Sequence, residues 1–245
     1  MRDYDLLYLE KYLSKEKLQQ GKKLLEKGIA PQYIVGNVEF YGIILNVNPN
    51  VLIPRFETEL LVEKTIHYVK QFWRKDDSNF KILDIGTGSG CIAIALKKEL
   101  NCDVTGIDIS NEALDVARSN AIENQVDIHF IQSDIFSDVN DTFDIIISNP
   151  PYIRCDEEIM DVVKNNEPSI ALYGGDDGLY FYDKILSSVS NYLNEKSIIA
   201  FEIGSLQASS ITLLANKYLS NSKVIVKKDL SGFDRFIFIL NGIKE

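Results

Sequence analysis

Four consecutive residues, Asn149-Pro150-Pro151-Tyr152, combine types that could handle a planar amino group. They close an apolar, β-branched run, Phe143-Asp144-Ile145-Ile146-Ile147-Ser148, which reads as a buried strand ending in a rigid loop. In open α/β sheets the reactive crevice lies outside the carboxyl ends of the strands, where Asn149 would sit. Neither proline has an N–H and both have a fixed φ, so the turn offers carbonyl acceptors without competing donors. Asn149 adds a side-chain carbonyl, and Tyr152 adds a flat aromatic wall. Each N–H of a planar NH₂ group can then meet one acceptor while the ring packs against its face. Asn-Pro also serves as a plain strand-ending turn, so the neighbouring motifs must decide.

Gly86-Thr87-Gly88-Ser89-Gly90 joins a strand, Lys81 to Ile85, to a helix from Cys91 to Leu100. Glycines there let the backbone turn tightly and let a ligand approach the main chain, while the helix N-terminus favours negative charge. A dinucleotide fingerprint needs the spacing G-x-G-x-x-G/A, and Cys91 occupies its third position. The run reads G-x-G-x-G, a spacing that resembles the Rossmann-like, S-adenosylmethionine-dependent methyltransferases. The resemblance implies that Asp84 favours the methionine ammonium. Asp108 ends the next strand, 22 positions after Gly86, and can accept both ribose hydroxyls, as either cofactor requires. Asp134 can accept from the adenine amino group with Ile135 packed on the base, although a surface turn would use the same residues. Asn149 then borders both the cofactor and the substrate.

These sites need a framework. The chain has 245 residues, 45% apolar and 25% charged, which allows one large α/β domain and a small appendage. A net charge of −10 argues against a surface built to grip a phosphate backbone. Cys91, Cys102 and Cys155 are odd in number and lack motif spacing, as in a reducing compartment, and His67 and His129 are too few for a histidine-rich metal site. Met1 to Asp5 is too charged for a signal peptide, and no apolar run approaches roughly 18 residues. The expectation is a cytoplasmic monomer without metal, membrane or direct nucleic-acid partner.

Residues 1–36 read as one or two short helices, with Leu6, Leu9 and Leu13 at helical spacing, Ser14 as a cap and Gly28 as a stop. Seven Lys/Arg against five Asp/Glu give this segment a net +2. Residues 37–75 read as a β-hairpin and a linker helix with Val62, Ile66, Val69 and Trp73 on one face. The polar stretch Asp76-Asp77-Ser78-Asn79 marks the boundary to a catalytic domain over 76–245. There strands alternate with helices, and two final strands, Lys223 to Lys227 and Arg235 to Leu240, have no helix between them. The pattern predicts a mostly parallel seven-stranded sheet, covered on both faces, with a C-terminal antiparallel hairpin.

Further motifs, in order, resemble the peptide chain release factor glutamine N5-methyltransferases. They are Pro31-Gln32-Tyr33-Ile34-Val35-Gly36, Glu39-Phe40-Tyr41-Gly42, Leu52-Ile53-Pro54-Arg55-Phe56-Glu57-Thr58-Glu59, Glu167-Pro168, Gly174-Gly175-Asp176-Asp177-Gly178 and Asp229-Leu230-Ser231-Gly232-Phe233-Asp234-Arg235. Two departures stand out: Phe56 replaces a proline, and the N-terminal segment is shorter than the family's helical substrate-docking region. The resemblance implies methylation of the glutamine amide nitrogen in the Gly-Gly-Gln motif of release factors. Asn149 and Pro150 would take its two N–H groups, and Tyr152 would pack on the amide plane. Other substrates fit the tetrapeptide too: a glutamine of a ribosomal protein, or adenine N6 or guanine N2 in a nucleic acid. A silent cofactor-binding module and a nicotinamide dehydrogenase are the readings outside methyl transfer.

Overall fold

The computed structural model describes residues 3–73, 80–100 and 102–243. The expected boundary at Asp76 to Asn79 lies outside the described residues. The chain begins with three helices, α1 (Asp3–Tyr12), α2 (Lys15–Glu26) and α3 (Pro31–Val35), and an antiparallel pair, β1 (Asn37–Phe40) and β2 (Ile43–Asn46). Ser14 precedes α2, and Gly28, at φ +84°, follows it, as the spacing predicts. The short α3, begun by Pro31, is too brief to show helical periodicity in the sequence.

Helix α4 (Phe56–Phe72) leads into the sheet strands β3 (Lys81–Ile85), β4 (Asp103–Asp108), β5 (His129–Gln132), β6 (Phe143–Ser148), β7 (Leu193–Glu202), β8 (Lys223–Lys228) and β9 (Asp234–Asn241). Their order in space is β5-β4-β3-β6-β7-β9-β8; the pairs β7–β9 and β9–β8 are antiparallel and the other four are parallel. The sheet is buried on both faces, and successive residues of a strand go to opposite layers. Ile145, Ile147, Ile198 and Ala200 pack with α4 and α5 (Cys91–Glu99). Ile146, Ile199 and Phe201 pack with α8 (Tyr180–Ser188) and α9 (Ala208–Tyr218). The expected linker helix α4 is therefore a covering layer of the sheet, because Leu61, Val62, Ile66 and Val69 all face it.

Helix α8 and the short α7 (Asp161–Asn166) are additions to the elements expected from the sequence. Tyr182, Ile185 and Leu186 form the buried face of α8, and the Tyr182 hydroxyl donates to the Glu202 carbonyl.

Two asparagines fasten the N-terminal elements to the sheet. On α6 (Asn111–Glu123), buried Asn120 accepts from the Asn46 N–H at 2.7 Å and donates to the Asn46 and Ser89 carbonyls. The hairpin and the glycine loop thus share one side chain. Asn166 on α7 accepts from the Ala30 N–H and donates to the Gly28 carbonyl. These amide pairs match backbone donors and acceptors that no secondary structure satisfies.

Candidate active site

The candidate residues gather at the carboxyl ends of β3, β4, β5 and β6, where strand order reverses between β3 and β6. One cavity is lined by Gly86, Thr87, Gly88, Ser89, Asp108 and Asp134, with Ile135 and Asn149 on its walls as well. Gly88 has φ +55°, and its N–H donates to Asp108 Oδ2 at 2.9 Å, while Ser110 N–H donates to Oδ1 at 3.0 Å. The glycine loop therefore holds the Asp108 carboxylate at the cavity wall. Burial pushes the Asp108 carboxyl up, opposed by those backbone donors.

Asp84 does not reach the cavity wall. It is fully buried, one oxygen accepts from the Thr87 hydroxyl at 2.7 Å, and Oδ1 has no partner among the described residues. Burial pushes its carboxyl up to about 7. Ser89 Oγ, on the cavity wall, is likewise buried without a partner. Gly90 lies behind the loop as the N-cap of α5. At the rim, Asp134 is paired with Lys184 of α8 at 2.7 Å, a link that sequence reading missed. Ile135 takes φ +55°, a strained conformation for a β-branched residue, with Ser133 Oγ donating to its carbonyl at 2.8 Å.

A second cleft meets the first at Asn149, Pro150 and Pro151, which line both. Its walls include Tyr152, Leu52, Arg55 and Glu202, and its far side is formed by the N-terminal segment at Leu25 and Ile29 and by α7 at Val162. Tyr152 lines this cleft alone. Asn149 Nδ2 donates to Thr58 Oγ1 at 3.1 Å, and the Thr58 hydroxyl donates to Glu202 Oε2 at 2.8 Å. The Asn149 amide is thereby turned so that Oδ1 is its remaining acceptor.

Buried Glu167 joins the two loops around the cleft: Oε1 accepts from Arg55 at 2.5 Å, and Oε2 accepts from the Ile53 N–H at 3.2 Å. Phe56 is the first residue of α4 and its ring is exposed. That helix position tolerates proline and other residues alike, so the departure leaves the loop intact. Thr58 lies inside a motif already noted, whereas Glu202 is marked only as a charge ending the apolar run Ile198 to Phe201.

A family model, the methyltransferase small domain, matches residues 61–166. A methyltransferase from Pyrococcus furiosus superposes with a TM-score of 0.62 at 21% identity, covering 94% of this chain and 98% of that one. Sheet order, glycine loop and domain match define a class I methyltransferase. The release factor glutamine methyltransferase of Lactococcus lactis is 41% identical over 225 residues, covering 91% of this chain and 81% of its own. That of Streptococcus pneumoniae is 42% identical over 214 residues, covering 86% and 75%. The release-factor-specific protein-(glutamine-N5) methyltransferase of Alicyclobacillus acidocaldarius superposes with a TM-score of 0.51 at 28% identity, covering 80% of this chain and 99% of that one. This chain belongs to the release factor glutamine methyltransferase family.

Proposed function

We propose that this enzyme uses S-adenosylmethionine to methylate the side-chain amide nitrogen of the glutamine in the Gly-Gly-Gln motif of peptide chain release factors. One observation carries the reading: two cavities, one on the glycine loop and one reaching the N-terminal helices, meet at Asn149-Pro150-Pro151. The first suits the cofactor, because Asp108, Asp134 and Ile135 line it and Ser89 Oγ, on its wall, is a buried polar atom still lacking a partner among the described residues. Bound there, the cofactor supplies an electrophilic methyl on its sulfonium.

The substrate nitrogen is a poor nucleophile because its lone pair is delocalised. Rotating a peptide amide out of conjugation costs about 18–20 kcal/mol, so alignment is the more economical route. Asn149 Oδ1 takes one N–H and the Pro150 carbonyl the other. Both then stabilise the positive charge that develops on nitrogen, at no reorganisation cost. Tyr152, on the wall of the second cleft, bounds the amide plane. We assign no general base: the methylated nitrogen is acidic and can lose its proton late, to water.

The cleft also fits a protein substrate. It runs from Asn149 to residues 25–32 and α7, a length suited to an extended loop rather than a single base. The net positive N-terminal segment beside an acidic catalytic domain gives a patch for docking. The test is to incubate the enzyme with labelled S-adenosylmethionine and, separately, release factors, ribosomal proteins, DNA and RNA. Label on the Gly-Gly-Gln glutamine is expected, and label confined to any other pool would overturn the reading.

A further inference from the structure

Glu202 is a carboxylate 2% exposed, placed at the end of β7 against the amide-binding loop. Among the described residues its side chain accepts one hydrogen bond, which ends the chain Asn149 Nδ2 to Thr58 Oγ1 (3.1 Å) to Glu202 Oε2 (2.8 Å). A hydroxyl has one proton to give. When Glu202 is ionised it can only accept, so Thr58 gives it that proton and can only accept from Asn149, and only the NH₂ end of the amide can supply that bond. The relay therefore fixes which end of Asn149 is left for a ligand.

We propose, on the basis of the glutamine-amide reading of this site, that Thr58 and Glu202 are positioning residues that orient the Asn149 amide, and that protonating Glu202 turns it over. A neutral Glu202 donates to Thr58 Oγ1. The Thr58 proton is then directed at Asn149, where only Oδ1 can accept it. The amide rotates, its NH₂ faces the substrate NH₂, and two donors meet. Ionised Glu202 is the productive state.

The surroundings place this switch near neutrality. Burial pushes the Glu202 carboxyl up to about 7, against the bond from Thr58 and the charge of Arg235 on β9. Glu57 and Arg55, at the start of α4, act on it in opposite directions. Tyr152, Tyr182 and Cys91 also face it from the loop, α8 and α5, and burial pushes all three upward, so they stay neutral there.

Three full-length variants and one spectrum test the relay. Thr58→Val removes the hydroxyl and keeps the shape; turnover should fall ~10–10²-fold with cofactor affinity unchanged. Thr58→Ser should restore turnover to within ~3-fold, since one lost methyl is the only change. Wild-type turnover should rise with pH up to a bend near 7, and Glu202→Gln should abolish that acidic limb. Independently of substrate, the ¹⁵N-labelled Asn149 side-chain NH₂ signals of the wild type should shift with the same midpoint, and not shift in Glu202→Gln. Wild-type turnover in Thr58→Val, an acidic limb kept by Glu202→Gln, or an Asn149 signal indifferent to pH would each overturn the proposal. If the signal titrates but no glutamine is methylated, the substrate reading fails and the relay stands.

Discussion

Gln207 holds Tyr152 by its main chain, its Nε2 donating to the Tyr152 carbonyl at 3.0 Å and to the Gly178 carbonyl at 3.1 Å. Its Oε1 accepts from the Gly204 N–H at 2.9 Å. One amide thus ties the end of β7 to the loop that carries Asn149 and to the glycine-rich segment beside it. Gln207→Ala should leave three backbone groups without partners and destabilise by roughly 1–3 kcal/mol. The melting midpoint should drop by about 3–8 °C, with turnover falling more than cofactor affinity. A variant that melts and turns over like the wild type would remove Gln207 from the support of the loop.

Gly178 explains a motif that sequence matching leaves mute. A Cβ there would stand 2.4 Å from the Tyr152 carbonyl oxygen and 2.6 Å from Gln207 Nε2, and its φ is +73°. Gly178→Ala combines overpacking with left-handed strain, about 2–4 kcal/mol in all. Chemical denaturation should show that loss. Gly28→Ala, whose Cβ would meet nothing within 4 Å despite φ +84°, is the control with strain alone.

Asn149→Ala removes the acceptor that the relay presents. Turnover should fall ~10²–10³-fold while cofactor affinity stays nearly constant, the range for losing one preorganised transition-state partner. Single-turnover rates and calorimetry separate the two quantities. Unchanged turnover would end the proposed role.

Asp108→Ala should act on the other cavity. Its carboxylate, held by the Gly88 and Ser110 N–H groups, is aimed at the expected ribose position. Affinity for S-adenosylmethionine should weaken by roughly 2–3 kcal/mol, the scale of hydrogen bonds to a charged acceptor. Calorimetry giving the wild-type constant would place the ribose elsewhere.

Stability should fall as pH rises toward neutrality. Asp84 and Glu202 are carboxyls whose folded-state values, about 7 each, lie above their ordinary 3.8 and 4.5. The native state therefore holds more protons than the unfolded chain between about pH 4 and 7. Unfolding free energy declines across that window by an amount on the order of a few kcal/mol. Asp84→Asn should flatten part of this slope in melts at pH 5 and pH 8. A slope identical to the wild type would show that Asp84 ionises normally.

The sequence determined the strands and the residues lining the glycine-loop cavity. Lys81 to Ile85, Asp103 to Asp108 and Phe143 to Ser148 are short β-branched runs with turn residues at their ends, and local pattern suffices for such elements. Because carboxyl ends of parallel strands share one edge, placing the strands also placed Gly86, Asp108, Asp134 and Asn149 together. Tertiary structure alone decided the relay. Thr58 and Glu202 lie 144 positions apart and Asn149 another 91 from Thr58, so no local periodicity records their bonds. It also withdrew Asp84 from the cavity wall, since a strand's alternation fixes which face a residue takes but not which layer covers it. The clamp of Gln207, the pairing of Lys184 with Asp134 and the cleft reaching the N-terminal helices are of the same kind. Each joins segments that meet only after the sheet has formed, when burial makes every unmatched polar group costly and so selects partners that the chain order does not show.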